Sequence, residues 1–193
     1  MWDKSVGMKW GIIMLKKAVS TEQLNQIRNL YEASFPKEEK KPFGMMVEKQ
    51  KEGLCEMLAI EDETGNFCGL AIMILAAGLA LLDYFAIEPR CQGGGLGSVA
   101  LQELRQRYGS DKIVVEIERT TGPEAEAAEN ARDRTRRKAF YLRNGMVPME
   151  FLVNLFGVEM EVLTFGRELT FDEYYAIYDS VLPKHMTDKV RLV

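Results

Sequence analysis

Residues 86–98 read Ala86–Ile87–Glu88–Pro89–Arg90–Cys91–Gln92–Gly93–Gly94–Gly95–Leu96–Gly97–Ser98, and this stretch decides the fold. Before it runs Leu79–Ile87, a short apolar segment closed by Pro89 and read as a strand. After it runs Gly97–Tyr108, an amphipathic helix with Leu101 and Leu104 on one face, Gln102, Glu103, Arg105 and Arg107 on the other, and Gly109 as its stop. A strand, a glycine cluster and a helix in that order make a physical recipe for binding an anion. Glycines let backbone N–H groups converge without interference from Cβ atoms, and the helix N-terminus adds unsatisfied donors and a partial positive charge. A bare tight turn is the plainer reading. The crowding of Gly93, Gly94, Gly95 and Gly97 shifts the weight to a phosphate ligand.

Outward from this centre, the apolar pattern predicts a first strand over Gly11–Val19. Ser20 with Gln23 forms a capping box, and Leu24, Ile27, Leu30 and Tyr31 carry a helix to about Ser34. Phe35–Pro42 breaks it, because each proline disfavours helix at the preceding residue. A second helix is read over Phe43–Glu52, and strand-like runs at Cys55–Glu61 and Phe67–Leu75 flank the polar turn Asp62–Asn66. Beyond the central helix come a β-branched strand at Lys112–Glu118, a polar stretch at Thr120–Asp133 and a helix over Thr135–Asn144. Antiparallel strands at Val147–Phe156 and Glu159–Phe165 follow. The last helix, Phe171–Leu182, is opened by a Thr170–Glu173 capping box and closed by Pro183. No repeat or linker interrupts the order. The expectation is one α/β (α+β) domain over 1–193, its core at about 12–166 and its last helix at about 170–182, built on a mixed, largely antiparallel central sheet flanked by helices.

The chain has 193 residues, enough for one well-cored domain and few for two. Its net charge of -4 lacks the basic footprint that general nucleic-acid binding needs. The apolar run Gly11–Leu15 is too short to span a membrane. Neither nucleic acid nor membrane is therefore expected as a partner. Cys55, Cys68 and Cys91 are odd in number and widely spaced, which suits neither a disulfide framework nor a zinc site. They suit a reducing, cytoplasmic setting, and no metal is expected. The only histidine, His185, stands in the polar segment PKHMTDK, which speaks against Ser-His-Asp, Cys-His and histidine-base chemistry. Met8 and Met14 stand as alternative starts.

Three phosphate ligands compete for the loop. A nucleoside-triphosphate loop ends in Gly-Lys-Ser/Thr, whereas this one ends Gly97–Ser98 with no lysine. A dinucleotide fingerprint wants G-x-G-x-x-G, and Ser98 stands where its third glycine belongs. The third reading fits better. Ala86–Ser98 resembles the acetyl-CoA loop of the GNAT superfamily of N-acetyltransferases, whose pattern is Gln/Arg-x-x-Gly-x-Gly/Ala. Gln92, Gly95 and Gly97 match it with Leu96 in the apolar position, and Arg90, Gly93 and Gly95 match in a second register. A second segment, Lys138–Met146, resembles the family's segment ending F-Y-x-x-x-G-F, with Met146 in place of the last phenylalanine. Thr135 stands where an asparagine is often found. The resemblance covers most of Ile12–Met149.

The resemblance implies a GNAT-like acyl-CoA N-acyltransferase fold. It also implies transfer of an acetyl (acyl) group from acetyl-CoA, as cosubstrate, to a primary amine of a small molecule or peptide by direct attack on the thioester. By the same match, Gln92, Gly93, Gly94, Gly95, Leu96, Gly97 and Ser98 hold the pyrophosphate of CoA, and Tyr141 protonates the departing thiolate. A phenol of reference pKa ~10 carries its proton at neutral pH. Backbone N–H groups near Phe85, Ala86 and Ile87 are the expected donors to the thioester oxygen.

For a base, the residues themselves offer carboxylates. Glu116 and Glu118 share one face of their strand, Asp83 lies on the preceding one, and an acid within an apolar strand is costly unless paired or wet. They rank Glu116, Glu118, Asp83, the alternative being direct capture of a neutral amine. Glu38 and Glu39 lie between the first helices, where the family shapes its substrate pocket. They attract a cationic amine or form a solvated charge run. Arg132–Lys138 reads as a solvated helix face, with the CoA 3′-phosphate as its alternative contact, and Cys91 as a small filler. Tyr174, Tyr175 and Tyr178 serve the core or a homodimer contact. Two other functions compete with the enzyme: a non-catalytic acyl-CoA-binding sensor or interaction module, and a nucleotide-dependent oxidoreductase.

Overall fold

A computed structural model describes residues 13–193; Met8 and the start of the expected first strand lie outside them, as does the side chain of Glu38. In chain order the elements are β1 (Met14–Lys17), α1 (Thr21–Ser34), α2 (Phe43–Lys51), β2 (Cys55–Glu61), β3 (Phe67–Ala76), β4 (Leu79–Ile87) and α3 (Leu96–Tyr108). Then follow β5 (Ile113–Glu118), α4 (Pro123–Glu126), α5 (Ala131–Arg143), β6 (Val147–Leu155), β7 (Val158–Thr164), α6 (Phe171–Val181), α7 (Lys184–Thr187) and β8 (Val190–Leu192). The strands form one sheet in the order β1-β2-β3-β4-β5-β7-β6-β8. β4 and β5 run parallel, while β1–β2, β5–β7, β6–β7 and β6–β8 are antiparallel. The mixed, largely antiparallel sheet flanked by helices is thus the one expected. Among the described residues, no helix is long and apolar enough to cross a membrane.

The chain divides into two compact units, one of residues up to Met73 together with Tyr84–Leu104, the other of Ile74–Asp83 together with Arg105–Val193. In the first unit the strands bury both faces, because side chains alternate and helices cover each side. Cys55, Met57 and Ala59 of β2, Leu70 and Ile72 of β3 and Tyr84 of β4 pack with Ile27, Leu30 and Tyr31 of α1 and Met46 of α2. Ile60, Cys68, Phe85 and Ile87 point to the other cluster, against Leu96 and Ala100 of α3. α1 starts at the capping box read from the sequence: Gln23 N–H donates to Ser20 Oγ at 3.2 Å and Ser20 N–H to Gln23 Oε1 at 3.3 Å.

In the second unit, Leu79 and Leu81 of β4, Val114 of β5, Val153 of β6 and Val162 of β7 line a core closed by Tyr174, Ile177 and Tyr178 of α6. Thr170 and Glu173 cap α6 reciprocally, as expected. Three readings change here. α5 begins at Ala131 rather than Thr135, and α4 occupies part of the polar stretch. The cap signal at Asn130 is masked because its side chain caps nothing and is spent on Glu118 and Arg134. The C-terminal segment is tied down by β8, which pairs antiparallel with β6 over Val190–Leu192. Three residues are too few to announce a strand by alternation.

Candidate active site

The glycine loop is fixed from behind before it is offered to a ligand. Glu88 N–H donates to Cys68 O at 2.8 Å, the Arg90 guanidinium donates to Phe67 O, and Gln92 Nε2 donates to Ile87 O at 2.8 Å. Cys91 and Leu96 are both 1% exposed and anchor the two ends of the loop in the core. Gly93 and Gly95 take φ of 79° and 83°, a backbone region that side-chain-bearing residues rarely occupy. A Cβ built at Gly93 meets nothing within 4 Å, so the space above it is open. Ser98 and Val99 N–H both donate to Gly95 O, at 2.9 and 3.1 Å. Among the described residues, the amides of Gly93, Gly94, Gly95, Leu96 and Gly97 donate to no protein acceptor. These amides sit at the N-terminus of α3, so the loop has the chemistry of an anion cradle. Two expected contributors differ in kind: the Gln92 side chain braces the strand end, and the Ser98 amide is already used.

Gly69 is a neighbour that sequence reading missed. A Cβ there would lie 2.6 Å from Ala86 O and 3.0 Å from Ile87 Cδ1. Only glycine lets β3 approach so close to the Phe85–Ile87 stretch. An isolated glycine inside an apolar run is the signal that could have marked it.

Tyr141 stands on α5 in the second unit, 6% exposed, its ring edge-on to Phe140 at 5.1 Å. Gly145, with φ of 89°, ends the helix, and Met146 N–H returns to Tyr141 O at 3.1 Å. Among the described residues, the Tyr141 hydroxyl makes no hydrogen bond. Burial pushes this phenol up to about 12, only partly offset by the positive charge of Arg137.

The three carboxylates proposed as bases have unlike surroundings. Glu116 Oε1 accepts the hydroxyls of Tyr174 and Tyr178 from α6, each at 2.6 Å. These phenols are 0% and 2% exposed, so they belong to the core rather than to a dimer contact. Burial first, then the charge of Glu116, holds both well above the ordinary phenol range, and Asp83 adds to the shift of Tyr178. β4 and β5 pair over Ala80–Leu82 and Ile113–Val115; Asp83 and Glu116 are the next residue along each strand. Glu118 is enclosed by Arg134 at 2.7 Å, Arg137 at 3.4 Å and the Asn130 amide at 3.2 Å. That set of donors makes it an anchor for α5.

Glu161, which the sequence did not single out, is 5% exposed and takes Lys138 Nζ at 2.6 Å together with the N–H and hydroxyl of Thr120. Burial raises its carboxyl, but Lys138 and Thr120 outweigh burial and leave it below the usual carboxylate range. The run Arg132–Lys138 is therefore only partly a solvated face. Arg134 and Lys138 are four residues apart, share one side of α5 and turn inward. The loop carrying Glu38 and Glu39 lies in the first unit as a single 3₁₀ turn, Lys37–Glu39, between α1 and α2. His185 is exposed on α7. Among the described residues, no group of three or more His, Cys, Asp or Glu is placed to hold a metal ion.

No family model and no curated protein matches the chain. Solved structures do. An acetyltransferase of the GNAT family from Bacteroides thetaiotaomicron superposes with a TM-score of 0.65 at 20% identity, covering 84% of this chain and 91% of that one. Spermidine N-acetyltransferase from Vibrio cholerae, in complex with CoA and spermine, gives 0.57 at 15% identity, covering 78% and 93%. The same enzyme in a dodecameric form gives 0.57 at 15%, covering 78% and 91%. At such identities the likeness speaks for architecture, and the architecture is clear: this chain has the fold of the GNAT acetyltransferases.

Proposed function

We propose that the protein is a CoA-dependent N-acyltransferase that moves an acetyl group from acetyl-CoA to a primary amine. The observation that carries the reading is the Gln92–Ser98 loop, with its open amides on positive-φ glycines at the start of α3. It lies in a fold shared with an enzyme solved in complex with CoA. The amides of Gly93–Gly97 receive the pyrophosphate. The lone pair of a neutral amine attacks the thioester carbon, and the C–N bond forms as charge moves onto the carbonyl oxygen. Backbone N–H groups near Phe85–Ile87 meet that charge; one such donor contributes about 3 kcal/mol. As the C–S bond breaks, the unengaged hydroxyl of Tyr141 gives its proton to sulfur. The amine's proton leaves to water or to a carboxylate, with Glu116 and Asp83 taken ahead of Glu118 because Arg134 and Arg137 already hold Glu118.

The acceptor to try first is a small polyamine, since a structural relative acts on spermidine. Glu39 and Glu38 would attract such a cation. A cytoplasmic setting suits Cys55, Cys68 and Cys91, which are buried and form no disulfide with one another. Calorimetry with acetyl-CoA, followed by free-thiol release across a panel of amines, tests the reading. We expect binding that Gly95→Val abolishes, because a β-branched residue cannot take φ of 83° without strain. Absence of acyl-CoA binding sinks the proposal. Binding without thiol release above hydrolysis favours the non-catalytic sensor.

A further inference from the structure

Gly69 is the one glycine of β3, a strand otherwise filled with side chains. Glycine inside a strand loses the most backbone freedom on folding and brings nothing to pack, so its place there needs a reason. The reason is the carbonyl of Ala86. A Cβ built at Gly69 would lie 2.6 Å from Ala86 O, 3.0 Å from Ile87 Cδ1 and 3.2 Å from Ile60 Cδ1. The two side-chain tips can swing aside, but the carbonyl belongs to β4 and moves only with its whole peptide.

Ala86 O is therefore seated against β3. A trans peptide is planar, with its C=O and N–H directed oppositely, so Ile87 N–H is directed away from β3. The next peptide continues the alternation. Glu88 N–H donates to Cys68 O of β3 at 2.8 Å, and Ile87 O, facing the other way, accepts from Gln92 Nε2 at 2.8 Å. Both backbone groups of Ile87 thus stand on the edge of β4 that is turned from β3, beside the first residue of the glycine loop. Among the described residues, the register of β4 with β5 runs over Ala80–Leu82 and does not take up this edge. Gln92 occupies the carbonyl, which leaves the N–H as the group this edge presents.

We propose that Gly69 is a positioning residue for acyl transfer: by letting Ala86 O seat against β3, it sets the tilt of the Ala86–Ile87 peptide and with it the aim of Ile87 N–H at the thioester oxygen. This rests on the N-acyltransferase reading. A donor to developing charge acts through its fixed aim, so tilting it weakens the transition state more than the bound substrate. Gly69→Ala drives a Cβ into the carbonyl and tilts that peptide. It lowers kcat about tenfold or more, while the Kd for acetyl-CoA stays within about twofold. The Ile60→Val/Ile87→Val double removes both Cδ1 atoms and is the reference for the triple that adds Gly69→Ala. The triple still loses about tenfold against the double, because the clash with the carbonyl remains. An unchanged kcat in Gly69→Ala overturns the positioning role, as does a loss carried by Kd alone. A triple that turns over as fast as the double overturns it too, since Gly69 then serves side-chain packing only. Should Gly69→Ala lose its cooperative thermal transition, the wild type answers through its proton–nitrogen correlation spectrum. Acetyl-CoA moves the Ile87 amide resonance, and CoA, which has no acyl oxygen, moves it less; equal shifts overturn the aim at the thioester. Wild-type protein that binds acetyl-CoA but releases no thiol with any amine fails the functional reading and removes the positioning role with it, whereas turnover that Gly69→Ala leaves intact fails the positioning role alone.

Discussion

A phenol that is to protonate a thiolate must still hold its proton at working pH, and burial of Tyr141 meets that requirement. Burial pushes it up to about 12, and among the described residues its hydroxyl makes no hydrogen bond. Tyr141→Phe should therefore lower kcat by about a hundredfold or more while the dissociation constant for acetyl-CoA stays within about twofold; steady-state kinetics and calorimetry on the two proteins check it. Tyr141 should add no descending limb to the wild-type kcat profile below the alkaline range. The same shift bears on stability. A group raised in the fold contributes stability that is present below its unfolded pKa, near 10, and lost as pH rises through about 12. Tyr141 stood out as a candidate because the Phe140–Gly145 segment has a recognisable pattern. The ties of the Tyr84 hydroxyl to Lys41 N–H and Glu39 O gave no such signal, because these are main-chain atoms 43 and 45 positions away and main chain has no residue identity to read.

Elements announce themselves when their signals are local. The reciprocal caps at Ser20–Gln23 and Thr170–Glu173 fixed the starts of α1 and α6 to the residue. α5 lacked such a signal because its capping position, Asn130, works for Glu118 instead. What holds α5 to the sheet is a pair of inward cations, Arg134 on Glu118 and Lys138 on Glu161, whose partners lie on β5 and β7 and are invisible from the helix alone. Glu161→Ala should remove the carboxylate shared by Lys138 Nζ and the N–H and hydroxyl of Thr120, leaving Lys138 only the Thr120 hydroxyl. Because Lys138 is 23% exposed and can recruit water, the loss should be roughly 2 kcal/mol, less than breaking a fully buried pair costs. Urea unfolding at neutral pH measures it. The Glu161 contribution is present above the unfolded carboxylate pKa and lost as pH falls through its lowered folded value. The difference between wild type and Glu161→Ala should therefore shrink below about pH 4.

At the scale of the molecule, fold class followed from the order of strands and helices. The division into two units did not, since β3, β4 and α3 each contribute to both and no linker marks the change. Binding of the proposed ligand, acetyl-CoA, would give a whole-molecule observable. A compound that binds only the folded chain stabilises it by about 2.7 kcal/mol at a hundredfold excess over its dissociation constant. For a chain of this length that is a rise in Tm of roughly 5–10 °C. The net charge of -4 provides no general attraction for a polyanion, so a rise with acetyl-CoA must come from a local cradle. If backbone amides form that cradle, Ser98→Ala should keep nearly all of the rise, since the hydroxyl is dispensable. Gly95→Val should lose it, because the backbone at φ of 83° can no longer present its neighbours' N–H groups. Thermal melts of the three proteins with and without acetyl-CoA decide the matter: equal rises in all three would move the binding site away from the loop.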